Sequence, residues 1–261
     1  MPIDPALVGA LHVEYLKKQD LGEEARAHHT LFQTSTIDAL LHGEYDGDVD
    51  FAELAGLGDF GLGTLEALDG EMVAIDGRFY QVKADGRAYE IDPRTRTPFA
   101  VVTFFEPTLS RTLDTPTDFD GFCALLNRLV GDEAPCCAVR LDGRFDYVKT
   151  RSVPRQRKPY PALAEVVKHQ PTFELRDVPG SIVGFRFPSY AQGLNVAGYH
   201  FHFITEDRDA GGHVLGFRLA SGVLSVDQEA DLRLELPPSV DLPAPDPSVA
   251  KREELERIEG G

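Results

Sequence analysis

Through most of the chain, apolar and polar residues alternate with a period of two, the pattern of strands that bury one face. Asp69-Gly70, Asp76-Gly77 and Asp85-Gly86 punctuate these alternating runs, and each pair supplies the positive backbone dihedrals of a tight hairpin, so a β-meander is predicted. Pro98 to Phe105 is a nearly continuous apolar run of strand length, the pattern of a strand buried on both faces. A second meander is predicted from Cys136 onward. It includes a strand from Ser181 to Phe187 and a long alternating strand from Gly222 to Leu236, ending at Pro237-Pro238.

Helical spacing is confined to a few stretches. Asp118 to Val130 places Phe119, Phe122, Leu125, Leu126 and Leu129 on one stripe. Shorter helices are predicted over Thr36 to Leu41, with Ser35 or Thr36 as cap, and over Ala162 to His169. Leu7, Leu11 and Leu16 lie among charges between Ala6 and Ala27 and predict a helix or a loosely attached arm. Many strands with few helices define an α+β fold class, expected as two lobes of mixed β-sheets with a metal site between them. The expected division is a helical arm at 1–30, a mixed-sheet lobe at 31–160, a second sheet lobe at 161–236 and a Pro-rich tail at 237–261. One internal echo stands out: the stretch Ile75 to Lys83 resembles Leu141 to Lys149, through a repeated sheet unit or through shared turn chemistry.

At 261 residues with 42% hydrophobic content, the chain is long enough for a packed core. The 26 basic and 43 acidic side chains give a net charge of -17, which repels phosphate backbones and anionic lipid and disfavours nucleic-acid and membrane partners. A positive metal pocket within this acidic surface would still attract a small carboxylate. Cys123 stands alone and Cys136-Cys137 are adjacent, which is neither a disulfide framework nor a zinc-binding spacing. No basic segment followed by an apolar run opens the sequence, and no stretch of about 18 apolar residues occurs, so a cytoplasmic protein is expected.

The chemistry concentrates in three histidines. On a strand, His200 and His202 share one face while Tyr199, Phe201 and Phe203 share the other. The polar stretch Glu206 to Gly212 ends in a double glycine and reads as a turn that brings His213 alongside them. Three neutral imidazoles converging on one point suit Zn²⁺ or another divalent metal with an open fourth position. Glu66 and Glu71 lie near the small-residue stretch Gly58 to Thr64, and Arg151 lies at a predicted strand end, where its forked guanidinium suits a substrate carboxylate.

These residues belong to a wider set of matching stretches. They include Gln33-Thr34-Ser35-Thr36, Leu40-Leu41-His42-Gly43, Gly58-Asp59-Phe60-Gly61-Leu62-Gly63-Thr64, Leu68-Asp69-Gly70-Glu71, Thr103-Phe104-Phe105, Thr150-Arg151, Lys158-Pro159-Tyr160, Ser189-Tyr190-Ala191 and the histidine segment. In this order and spacing, from Leu31 to Pro237, the chain resembles the bacterial alpha-acetolactate decarboxylases. The resemblance implies a lyase that converts 2-acetolactate to acetoin and CO₂, with His200, His202 and His213 as zinc ligands. It places Glu71 and Arg151 at the metal and Thr64 near bound substrate. It further implies a homodimer and a C-terminal tail that folds back to contribute a glutamate, for which Glu259 is the best positional match and Glu254 and Glu256 are alternatives. Loss of CO₂ leaves charge that delocalises as an enediolate. Zn²⁺ would stabilise that charge, and Glu71, Glu259 or Arg151 would handle the proton and the substrate. Two rival readings remain. A cupin-like metalloenzyme fits His200-x-His202-x-x-x-Glu206 but lacks a later histidine, and a non-catalytic binding module would have no use for three converging imidazoles.

Overall fold

A computed structural model describes residues 12–16, 29–131 and 134–236, the first of these segments in its backbone alone. In chain order the strands are β1 (His12–Leu16), β2 (Thr30–Thr34), β3 (Val49–Asp50), β4 (Phe60–Thr64), β5 (Glu71–Ile75), β6 (Arg78–Val82), β7 (Ala88–Glu90) and β8 (Arg96–Thr97). They continue with β9 (Ala100–Thr103), β10 (Leu109–Leu113), β11 (Thr117–Asp118), β12 (Cys136–Arg151), β13 (Thr172–Phe187), β14 (Gly198–Thr205), β15 (Gly211–Glu229) and β16 (Asp231–Glu235). The helices are α1 (Ile37–Leu41), α2 (Phe51–Leu54), α3 (Phe119–Val130) and α4 (Leu163–Val166).

Two sheets carry the fold. The first has eight strands in the order β1-β16-β2-β9-β4-β5-β6-β7, with β1 and β2 both parallel to β16 and the remaining pairs antiparallel. The second has six strands, β10-β15-β12-β13-β14 with β11 paired to β15. Because β14 also pairs with the start of β15, this sheet curls until it closes on itself, and the closing register sets His202 opposite His213.

The interior of the curl and the space between the sheets are separate cores. Inside the curl, Phe145, Phe201, Phe203 and Phe217 pack against Phe122 and Leu126 of α3. The Asp118 carboxylate caps α3 by accepting from the Gly121 amide. Of the stripe that the sequence predicts, Phe122 and Leu126 are buried, and Phe119, Leu125 and Leu129 pack partly buried beside them. Between the sheets, Phe60, Leu62 and Val101 of the first, with Phe99 just before β9, share a core with Val183, Phe185 and Ile204 of the second. Burying each such aliphatic or aromatic side chain stabilises the fold by roughly 1.5–3 kcal/mol.

Several expectations need correction. Within the stretch from Ala6 to Ala27, the described residues His12–Leu16 form strand β1, not a helix; the rest of that stretch lies outside the described residues. Sheet membership does not divide at 160. Strands β10, β11 and β12 already belong to the second sheet, and β16 returns to the first. The predicted strand from Gly222 to Leu236 is two strands in two sheets, broken at Ala230, whose amide donates to the His29 carbonyl as the chain crosses between layers. The sequence echo is not a repeated unit. Asp76 and Gly77 (φ 53° and 73°) turn the β5–β6 hairpin, whereas Asp142 and Gly143 run straight through β12, paired on both sides.

Candidate metal centre

Alternation along β14 turns His200, His202 and Ile204 toward the first sheet and Phe201 and Phe203 into the curled core. His213 arrives through a close backbone approach at Gly211-Gly212. A Cβ at Gly211 would lie 2.2 Å from the Phe203 carbonyl oxygen, and one at Gly212, where φ is +133°, would lie 2.4 Å from that of Arg151. Only glycines let β15 enter here between β14 and β12, where His213 pairs with both His202 and Arg151.

The three imidazoles offer ligand atoms within 4.8 Å of one another, with ring centroids 5.0–5.4 Å apart. All three are buried. Burial, followed by the nearby Arg151 guanidinium, lowers the pKa of His200 to about 3, so this ring is neutral and ready to ligate. His202 Nδ1 lies 2.7 Å from the Met72 carbonyl oxygen, which can only accept, so Nδ1 carries the proton and Nε2 is the nitrogen turned to the cluster. The donor set therefore fits a divalent cation held by three nitrogens with a further position open.

Strands β4 and β5 bring Thr64 and Glu71 to the same place as directly opposed partners. The Thr64 hydroxyl donates to the Gly70 carbonyl at 2.7 Å, and Glu71 Oε2 lies 3.5 Å from His202 Nε2. Their connection is not a two-residue hairpin. It runs through a 3₁₀ turn, Glu66–Leu68, in which Ala67 and Leu68 both have positive φ, and it is anchored by the Ala67 amide on the Tyr45 carbonyl. Arg151, only 2% exposed, ends β12 and donates from Nη1 to Gln170 Oε1 at 2.8 Å.

A narrow cleft unites Thr64, Glu71, Arg151, His200 and His202 on its polar side. Its apolar wall includes Ile37 and Leu40 of α1, Leu68, and Leu163 of α4. Thus the structure brings together every described residue singled out in the sequence except Glu66, which lines a separate surface groove with Arg94, Arg96 and Arg155. Glu259, with its alternatives Glu254 and Glu256, lies outside the described residues. Sequence reasoning missed Gln170, Leu163 and Leu68. Their only sequence signal is neighbourhood: Leu68 within a quoted motif, and Leu163 and Gln170 in or beside a predicted helix.

Fold and site together define the class: a two-layered β-sheet protein with a three-histidine candidate metal centre between the layers. Comparison with known proteins gives the family. Residues 31–244 match the family model for alpha-acetolactate decarboxylase. The chain is 46% identical to the alpha-acetolactate decarboxylase of Methylococcus capsulatus over 237 residues, 91% of each chain. It is 41% identical to that of Bacillus subtilis over 211 residues, 81% of this chain and 83% of that one. A crystal structure of the Bacillus subtilis protein superposes with a TM-score of 0.84 at 39% identity, covering 89% of this chain and all of that one. The chain belongs to the alpha-acetolactate decarboxylase family, a family of enzymes. This membership displaces the cupin-like and non-catalytic readings. No helix among the described residues is long and apolar enough to cross a membrane.

Proposed function

We propose that this protein decarboxylates 2-acetolactate to acetoin and CO₂, using a divalent ion, Zn²⁺ foremost, held by His200, His202 and His213. The observation that carries this reading is the convergence of three buried imidazoles beside Glu71, Arg151 and Thr64 in a chain of this family.

The substrate is a β-keto acid with a hydroxyl on the carbon that bears the carboxylate. Breaking the bond to the carboxylate releases CO₂ and leaves the electron pair on that carbon, from which it delocalises into the ketone as an enediolate. When bound, the metal supplies Lewis-acid stabilisation where that negative charge develops, worth several kcal/mol. Arg151 orients the departing carboxylate through its planar fork. The Thr64 hydroxyl already donates to Gly70, so its oxygen is left to accept from the substrate hydroxyl. Glu71, 7% exposed and next to the imidazoles, delivers the proton that completes acetoin, with Glu259 of the tail as the second carboxyl in this role. Ile37, Leu40 and Leu163 face the substrate's methyl groups and exclude water.

The reading extends to a cytoplasmic homodimer acting in acetoin formation. The test is direct: purified protein supplied with 2-acetolactate yields equimolar acetoin and CO₂. Acetoin formation no faster than in a protein-free control contradicts the reading.

A further inference from the structure

We propose that Thr150 is a positioning residue for the metal site: its hydroxyl holds the Gly211 carbonyl and thereby fixes His213, the ligand that the strand ladders hold least firmly. The inference rests on the reading above, in which the three imidazoles share one ion.

The three ligands are not held alike. His200 and His202 lie on β14, which pairs with β13 along its whole length, Gly198–Thr205 against Gly180–Phe187. His213 lies where β15 has only just joined the sheet. There β15 pairs with β14 through Gly211, Gly212 and His213 alone, and the two glycines bring no side chain to anchor the approach. On the other side the ladder to β12 is soon interrupted: Lys149 pairs with Gly216 but Thr150 with Val214, so Leu215 is the extra residue of a bulge. A bulge disrupts pairing locally and re-aims the side chains beside it. Backbone pairing therefore brings His213 to the cluster but fixes it less firmly than the other two.

Thr150 spans this seam. Its Oγ1 donates to the Gly211 carbonyl oxygen at 3.0 Å, and both residues are buried. A Cβ at Gly212 would lie 3.1 Å from the Thr150 Cβ, so the threonine packs directly on the glycine between its acceptor and His213. The next residue, Arg151, pairs with His213 itself. One short stretch of β12 thus carries both the cation of the cleft and the hydroxyl that secures the third ligand. Tight binding by three nitrogens requires each to lie within ~0.5 Å of its place, so a looser seam weakens the hold on the ion.

Ser152 supplies the contrast. Its hydroxyl is equally buried and donates at 2.8 Å to the Val82 carbonyl, which belongs to β6 of the first sheet and not to the strands that carry the histidines. Removing either hydroxyl takes a donor from a buried carbonyl and lowers stability. Only the Thr150 hydroxyl acts two residues from a ligand, so only its loss should reach the metal.

The experiment measures the Zn²⁺ dissociation constant of the full-length protein by competition with a chromophoric chelator, beside the Tm of the metal-free form. Thr150→Val keeps the shape of the side chain but not its donor, and the dissociation constant rises ~10-fold to ~100-fold. Thr150→Ser, which retains the hydroxyl, and Ser152→Ala, which lowers the Tm alone, both bind Zn²⁺ nearly as tightly as the parent. Parental affinity in Thr150→Val overturns the proposal, as does equal weakening in Ser152→Ala or in Thr150→Ser. If Thr150→Val does not fold, Thr150→Ala is judged by the same criteria. Because the readout is binding and not turnover, the two levels of inference are distinguishable. A parent that binds Zn²⁺ but forms no acetoin contradicts the decarboxylase reading, while the affinities still decide the role of Thr150. A parent that binds no Zn²⁺ overturns both.

Discussion

The two faces of β14 are built from neighbouring residues of one strand and do different work. Phe201 and Phe203 enter a core closed by Phe122, Phe145 and Phe217, with rings meeting edge to face at centroid separations of 5.3–6.0 Å. One residue away, His200 and His202 are equally buried but place polar nitrogens where hydrophobic contact would have stabilised the fold more. The phenyl face holds the strand in place; the imidazole face uses that rigidity to keep ligand atoms within reach of one ion. Stability and function are thus separated by the strand's period of two, and substitutions on the two faces should have separable consequences.

The largest effect is expected on the imidazole face. His202→Ala removes both a ligand and the contact to Met72, so metal content falls to background and acetoin formation is lost, while far-UV circular dichroism stays close to that of the parent. Next in size, Phe203→Ala should destabilise the protein by about 3–5 kcal/mol in urea titration, while the folded fraction retains its metal. Metal loss from folded Phe203→Ala would show that the two faces are not separable. Glu71→Gln sharpens the division within the site itself. Turnover should drop ~10²-fold or more with an unchanged Tm and unchanged metal stoichiometry, because the amide keeps the shape but not the proton.

The smallest effect concerns the far end of β15, where a buried polar group has no part in the cleft. Glu229 is fully buried, and burial, followed by the neighbouring Asp227, pushes its pKa up to about 8 from 4.5. The folded protein then keeps a proton that the unfolded chain releases. The stability from this group is complete below about pH 4.5 and declines as pH rises toward 8. Glu229→Gln should flatten that decline and raise the Tm by a few degrees at pH 8 while leaving it nearly unchanged at pH 4.5, with kcat unaltered. Buried polarity alone is therefore not the mark of a site; convergence on a shared point is.

The sequence shows the imidazole cluster because its signal is local. Period-two alternation orients His200 and His202, and the Gly211-Gly212 pair marks the close approach that brings in His213. The cap of α1 at Thr36 and the extent of α3 are equally local and fall where the sequence places them. What the sequence does not show depends on partners distant in the chain. The stretch around His12–Leu16 carries a helical spacing, yet parallel pairing with β16, more than 200 residues away, makes it a strand, a case of tertiary context overriding local pattern. Asp142-Gly143 has the residues of a turn but is paired on both sides by β13 and β15, which keep it extended. Gln170 reaches the site through one hydrogen bond to a residue 19 positions earlier, and no spacing rule announces it.

Metal removal tests the central claim most directly: that His200, His202 and His213 hold one ion on which decarboxylation depends. Protein stripped by a chelator should remain folded, form no acetoin from 2-acetolactate, and recover full turnover as one equivalent of Zn²⁺ per chain is restored. Undiminished acetoin formation by the verified metal-free protein would contradict it.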